Sequence, residues 1–461
     1  MDLMQIMQDA LRAALVAVAA CALAECWLPA VRDARTWRRR GAWTLAALVF
    51  LTPALVTGYG YSNTVLALVR RPALRLVVHS LLTLFRFAPV ALLLRHAYRP
   101  AISSEAAHCA RLLQTHGAAE PGWLTAHRFG PVWLGEFCLV FLFTFGEMEL
   151  ASLLYVETWT VRLFDSQLGG LALSECLRRI LPPLIVSAVV LGLAITVLRH
   201  VRLSLDEIER NASPRRWQRL LAWPSLLFGV FAVLIAPLAT ILLDTMLEPG
   251  ALRATTSLAG DIVRSTCVAA ATALLAWQMG RVICGRSRPT MPSVACCLPA
   301  LPGGLALALA LLALFNLPGL RVLRDSPIPL ALGLWLRLLP TAIVGALVLA
   351  ANRPAAGLHI ASLLAESADP RRRSAGRRVA SALRGHGHQV LLAVLFVQAY
   401  FELTLSAILA PAGLSVVSVR LYNLMHYGRA ATLSAMVGVS LLIPCALAAA
   451  GIAAFRHRRG K

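Results

Sequence analysis

Long apolar runs separated by short, arginine-rich polar stretches dominate the chain. A helix that crosses a bilayer needs roughly 20 predominantly apolar residues. Runs of this kind fall near 11–30, 42–60, 74–94, 132–154, 180–198, 220–243, 260–280, 292–316, 328–350, 389–410 and 431–454. The run at 42–60 is short, and the one at 180–198 admits an earlier start. The pattern predicts an all-α, polytopic membrane protein with about eleven transmembrane helices.

The polar stretches add an orientation. One set of alternate connections carries Arg32, Arg35, Arg38, Arg39 and Arg40, then Arg95, Arg99, Arg111 and Arg128, then clusters at 199–219, 281–288 and 353–384, and ends on Arg456, Arg458, Arg459 and Lys461. The opposite set holds only Arg70, Arg71, Arg162, Arg253, Arg321, Arg324, Arg420 and Arg429. Cytoplasmic loops are enriched in Lys and Arg. An odd number of spans with the N-terminus outside and the C-terminus in the cytoplasm therefore fits.

Composition agrees with a lipid solvent. Of the 461 residues, 58% are hydrophobic and 14% charged, with a mean hydropathy of +0.71. A soluble domain has about 25% charged residues. The net charge of +22 raises the question of nucleic acid. Topology accounts for the arginines better, and no basic platform interleaved with aromatics lies outside the apolar runs. The cysteines lie mostly in apolar runs without metal-ligand spacing, as expected of small packing residues. The segment 1–9 carries Asp2 and Asp9 and no cation, unlike a cleavable signal peptide.

Two connections on the arginine-rich side are long, 95–131 and 351–388, and each follows a similar span. Arg86-x-x-Pro89 recurs as Arg337-x-x-Pro340. At the same offset His108, Ala110, Leu112 and Leu113 recur as His359, Ala361, Leu363 and Leu364. Further on, Glu149-Leu150 matches Glu402-Leu403, and Val161-Arg162-Leu163-Phe164 matches Val419-Arg420-Leu421-Tyr422. The chain reads as a tandem duplication. A first five-helix core occupies 1–200. A linker with one extra helix follows at 201–259, and a second core at 260–461. The extra helix lets both cores share one orientation, so the repeats are parallel rather than inverted.

These residues carry a resemblance. The first long loop holds Glu105-Ala106-Ala107, then Gly117 and Pro131, and the stretch 418–428 has a recognisable pattern with Glu402-Leu403-Thr404 upstream. In these features the chain resembles fused, two-copy permease subunits of binding-protein-dependent ABC importers of the ferric-iron, thiamine and sulfate type. The architectural likeness spans the chain, whereas motif-level likeness is confined to short segments. The literal Glu105-Ala106-Ala107 is out of register with Gly117, and Ala368 stands where the family places a Gly in the second loop.

The resemblance implies a type-I importer permease fold in a bacterial inner membrane. It implies a small solute as cargo, ferric iron or a similar ion or metabolite, moved by alternating access. The partners would be the bilayer, a cytoplasmic ABC ATPase dimer and a periplasmic solute-binding protein, with no nucleic acid. The chain would bind no cofactor, ATP being used by the partner. It has no phosphate-binding Walker sequence and no HExxH or GxSxG motif, and is not expected to be an enzyme.

The expected ATPase-docking residues are Glu105, Ala106, Ala107, His108, Leu112, Leu113 and Gly117 in the first loop and His359, Leu363 and Leu364 in the second. Charges within the apolar runs, Arg86, Glu149, Arg337 and Glu402, mark either the translocation path or helix packing. In the packing reading each Arg bonds carbonyls freed by its nearby Pro, or snorkels. Arg162 and Arg420 lie in the outer connections and face either a receptor or solvent. The rival readings are an ion-coupled secondary transporter and a membrane-embedded enzyme acting on a lipid-linked substrate.

Overall fold

The computed structural model describes residues 3–32, 35–99, 122–199, 202–203, 216–247, 249–283, 297–298, 303–351, 355–425 and 431–460. Nearly all of them are helical. The strand pairing among them is one two-residue antiparallel bridge, Tyr98–Arg99 (β1) against Arg202–Leu203 (β2). The first helices are α1 (Leu3–Val31), α2 (Thr36–Leu51), α3 (Ala54–Ala67) and α4 (Pro72–Ala97). Then come α5 (Gly122–Phe145), two short helices α6 (Glu149–Leu153) and α7 (Trp159–Leu168), and the long α8 (Leu173–Arg199).

The later part of the chain follows a similar order. Helix α11 (Ala259–Ile283) is followed by the short apolar α12 (Gly304–Phe315) and the long α13 (Ile328–Ala351). A helical hairpin comes next, α14 (Ala355–Ala365) and α15 (Pro370–Tyr400). Two short helices, α16 (Thr404–Leu409) and α17 (Val417–Met425), precede the terminal α18 (Ala431–Gly460). Packing recurs with the order: α1 lies on α4 and α5, and α11 lies on α13 and α15.

Among the described residues, seven helices are long and apolar enough to cross a membrane, and the bent pair α2–α3 raises this to eight. The expected run at 42–60 is that pair, bent by 73° at Thr52-Pro53. The expected runs at 132–154, 292–316 and 389–410 hold shorter apolar helices, Val132–Phe145, Gly304–Phe315 and Gly387–Tyr400. The run expected at 180–198 begins earlier, at Leu173. The chain is a multi-pass helical membrane protein.

Side-chain placement follows from a lipid solvent. On α1 the buried stripe is Ala13, Ala17, Ala20 and Ala24, while Leu11 and Leu15 on the other side are each 64% exposed. A water-soluble helix would do the reverse. In lipid, exposed leucines cost nothing, and small residues let backbones approach. The second stripe is Ser265, Ala269, Thr272, Ala276 and Gly280 on α11. Gly280 sits so close to α13 that a Cβ there would lie 2.8 Å from the carbonyl oxygen of Ala342.

Between these two parts of the chain runs a helix with a π turn, α9 (Arg216–Val230), Phe231–Ile235 and α10 (Ala236–Leu247). Pro237 explains the irregularity, since it cannot donate to the carbonyl four residues back. That carbonyl, on Val233, instead accepts from Thr57 Oγ1 at 2.9 Å, and the carbonyl of Ala232 accepts from Tyr61 Oη at 2.8 Å. Both donors come from α3, which is thereby fastened to the extra helix. Unpaired carbonyls in lipid cost several kcal/mol each, so the bonds matter for α3.

Candidate functional site

The helices α5 and α15 both stop in mid-bundle at acidic tripeptides, Gly146-Glu147-Met148 and Phe401-Glu402-Leu403. Short helices resume directly afterwards. The break after α5 is stabilised by Glu147, whose carboxylate accepts the backbone N–H groups of Leu150 at 2.6 Å and Ala151 at 3.1 Å. These are the orphan donors at the start of α6. The breaks and the paired Arg-x-x-Pro helices meet around one cavity of about 160 Å³.

All four charged residues singled out within the apolar runs line this cavity: Arg86 and Arg337 from α4 and α13, Glu149 from the start of α6 and Glu402 from the break after α15. Sequence matching paired them, and the fold brings the two pairs together. Glu149 reaches across the repeat boundary and accepts the backbone N–H of Leu403 at 2.9 Å. Arg337 Nε lies 4.0 Å from Glu402 Oε2. Arg86 is close enough to act electrostatically on both Glu147 and Glu149, and Glu402 on Glu149. Arg86 Nε is buried without a hydrogen-bond partner.

Glycines form part of the wall. Gly303 has φ +103°, in the left-handed region that favours glycine. A Cβ there would lie 3.3 Å from Gly146 Cα, and one on Gly304 would lie 3.0 Å from Glu402 Oε1. The backbones of the two repeats thus approach closely beside the cavity.

Behind Glu147 runs a buried chain of ionisable groups that pattern matching missed. Glu147 Oε2 pairs with His79 Nε2 at 3.2 Å, His79 Nδ1 lies 3.4 Å from Arg12 Nη1, and Arg12 Nη2 lies 3.5 Å from Asp9 Oδ1. Asp9 Oδ2 accepts the backbone N–H of Trp159 at 2.8 Å. All four side chains are buried. The repeat did not reveal it because Leu330 and Tyr400 occupy the corresponding positions of the second half. One signal was available: Asp9-x-x-Arg12 recurs as Asp261-x-x-Arg264.

At the arginine-rich end a second buried ion pair appears. Arg95, expected as a loop cation, lies in the last turn of α4 and grips Glu136 with Nε at 2.9 Å and Nη2 at 2.5 Å. Its Nη1 donates to Glu25 at 2.9 Å, and its guanidinium lies 4.4 Å from the Trp133 ring centre. This cluster ties α1, α4 and α5 together.

The first-loop docking residues Glu105, Ala106, Ala107, His108, Leu112, Leu113 and Gly117 lie outside the described residues. The second-loop residues His359, Leu363 and Leu364 lie on α14. His359 is exposed and Leu363 is 56% exposed, but Leu364 is half-buried against α15. The neighbour sharing the open face of Leu363 is Ile360, 58% exposed, three residues away on the helix. Arg162 pairs on the surface with Glu157 at 2.6 Å. Arg420 instead fastens α17 to α11, donating to Asp261 at 2.5 Å and to the Ser257 carbonyl at 2.9 Å.

Among the described residues no three His, Cys, Asp or Glu side chains gather to hold a metal ion. The chain matches no family model, no curated protein and no solved structure.

Proposed function

We propose that the chain is the transmembrane permease subunit of a binding-protein-dependent ABC importer, as its resemblance to fused ferric-iron, thiamine and sulfate-type permeases implies. The observation that carries this reading is the cavity lined by matched residues of both repeats, Arg86 with Arg337 and Glu149 with Glu402. A site shared between two similar bundles opens to one side or the other as the bundles rock. The eleven apolar segments would then form two tandem permease cores of five helices, 1–200 and 260–461, with one extra helix between them. The N-terminus would face outward and the C-terminus the cytoplasm of a bacterial inner membrane.

In this reading an ABC ATPase dimer docks on the arginine-rich face through the α14–α15 hairpin and its counterpart in the first loop. A solute-binding protein delivers cargo at the face carrying α7 and α17. The cargo is a small solute, an ion such as ferric iron or a metabolite. One observation favours a second reading, an ion-driven carrier: the chain Asp9–Arg12–His79–Glu147 is buried in one half alone. Intramembrane ionisable chains serve proton relays in pumps and carriers.

Reconstitution separates the two. The pure chain should hydrolyse no ATP, and vesicles containing it with an ATPase encoded beside it should take up solute only when ATP is supplied. Hydrolysis by the chain alone, or uptake abolished by a protonophore at constant ATP, would sink the importer reading.

A further inference from the structure

The molecule contains two kinds of intramembrane ion pair, and their difference is informative. Arg95–Glu136 is closed. The guanidinium makes two parallel bonds to a carboxylate that is fully buried, and a third to Glu25. That is how charges look when their role is to hold helices together. The charges at the cavity are placed differently. Arg337 and Glu402 stand 4.0 Å apart, beyond a hydrogen bond. Arg86 Nε is buried without a hydrogen-bond partner, and Glu402, lining the same cavity, has its counter-charge Arg337 only at 4.0 Å.

A buried charged donor without an acceptor is costly, and a carboxylate whose counter-charge stands beyond hydrogen-bond distance has room for a closer cation. An occupant supplying both groups would relieve both. Its anionic group would accept from Arg86, and its cationic group would sit by Glu402 and Glu149. The walls between these ends are apolar, with Phe87, Phe143, Leu334 and Leu338 among the lining residues, as suits a short methylene linker. A bare metal ion fits less well, since no three candidate ligands converge among the described residues.

We infer that the cavity between the repeats binds a small zwitterionic organic solute, its anion on Arg86 and its cation between Glu149 and Glu402. This deepens the transport reading and rests on it for its purpose, but binding itself requires no ATPase.

The experiment uses the full-length chain in lipid nanodiscs and isothermal titration calorimetry. The probes are glycine, β-alanine and γ-aminobutyrate, with butyrate, n-butylamine, Mg²⁺ and Fe³⁺ as comparisons. At least one amino acid should bind at least tenfold more tightly than butyrate or butylamine. Arg86→Gln and Glu402→Gln should each weaken it tenfold or more, and Arg86→Lys less. Size-exclusion profiles and melting temperatures confirm that the variants are folded; should Arg86→Gln not fold, Arg86→Lys and Glu402→Gln carry the test. If none of the three amino acids binds, or if butyrate, butylamine or either metal ion binds as tightly as they do, the inference is overturned. Failure to recruit an ATPase would count against the importer reading alone and leave the calorimetry standing.

Discussion

Glu149 Oε1 accepts the backbone N–H of Leu403 at 2.9 Å, so the residue opening α6 holds the end of the later helix break, just before α16. The same seam carries Ser152 Oγ and Tyr422 Oη, 2.6 Å apart. Both contacts join a short helix of the first half to a segment of the second. They form a polar latch at the end of the cavity where α5 and α15 stop. A bilayer offers no water to replace these bonds once broken.

Glu149→Gln retains an acceptor oxygen for Leu403, whereas Glu149→Ala leaves that N–H bare. An unsatisfied buried donor costs about 1–3 kcal/mol. In matched nanodiscs, Glu149→Ala should therefore melt several degrees below the parent and Glu149→Gln close to it. Equal melting of both variants would show that the carboxyl oxygen contributes nothing to the latch.

The Arg95–Glu136 pair yields a sharper contrast. Glu136 is fully buried and Arg95 nearly so. Removing one partner of a buried pair costs about 3–5 kcal/mol, while replacing both with apolar groups is often neutral. Glu136→Ala should accordingly sharply reduce the folded yield of membrane protein. The double change Arg95→Met with Glu136→Leu should restore most of it. A double variant as poor as the single one would mean that the pair specifies helix positions rather than merely neutralising charge.

Much of the site was legible because matching residues stand at two places in the sequence. Arg86 with Arg337 and Glu149 with Glu402 were found as repeated matches, and the structure places all four at one cavity. Glu147 escaped because its counterpart is Tyr400. Glu136 escaped because a single carboxylate inside an apolar run gives no hint of its partner, and Arg95 looked like the start of a loop. The helix breaks at 146–148 and 401–403 are too short to depress a hydropathy window of about 19 residues, so α5 and α15 were expected to run on past them. Ile360 was overlooked because matching letters between repeats picks Leu363 and Leu364 without regard to helical phase.

Topology is open to direct measurement. If the arginine-rich connections face the cytoplasm, a reporter fused after Lys461 should be active only in the cytoplasm. One inserted at Gly170, in the turn between α7 and α8, should be active only outside. Matching signals from both sites would overturn the odd-span arrangement, because these positions lie at opposite ends of α8 and α18 in the proposed plan.

The α14–α15 hairpin supports the most discriminating test of coupling. Asp369 caps α15 by accepting the N–H of Arg371 at 2.8 Å, with Pro370 at the first helical position. The two helices touch at Gly376, where a Cβ would lie 2.4 Å from the nitrogen of Ala365 and 2.8 Å from the carbonyl oxygen of Ala361. Leu364 turns toward this contact, and Ile360 and Leu363 turn away from it. In the proposed importer reading this exposed apolar pair would meet the ATPase, and a few buried anchors of about 2 kcal/mol or more each carry most of such an interface. If the proposed importer reading holds, Ile360→Asp with Leu363→Asp should leave the melting temperature unchanged while abolishing co-purification of an ATPase encoded beside it. Gly376→Val should do the opposite first: it forces α14 off α15, lowers the melting temperature, and loses the partner only as a consequence. Should the Ile360–Leu363 double variant retain the ATPase at the parental level, the patch faces lipid headgroups rather than a protein, and the docking element must be sought on another part of the arginine-rich face.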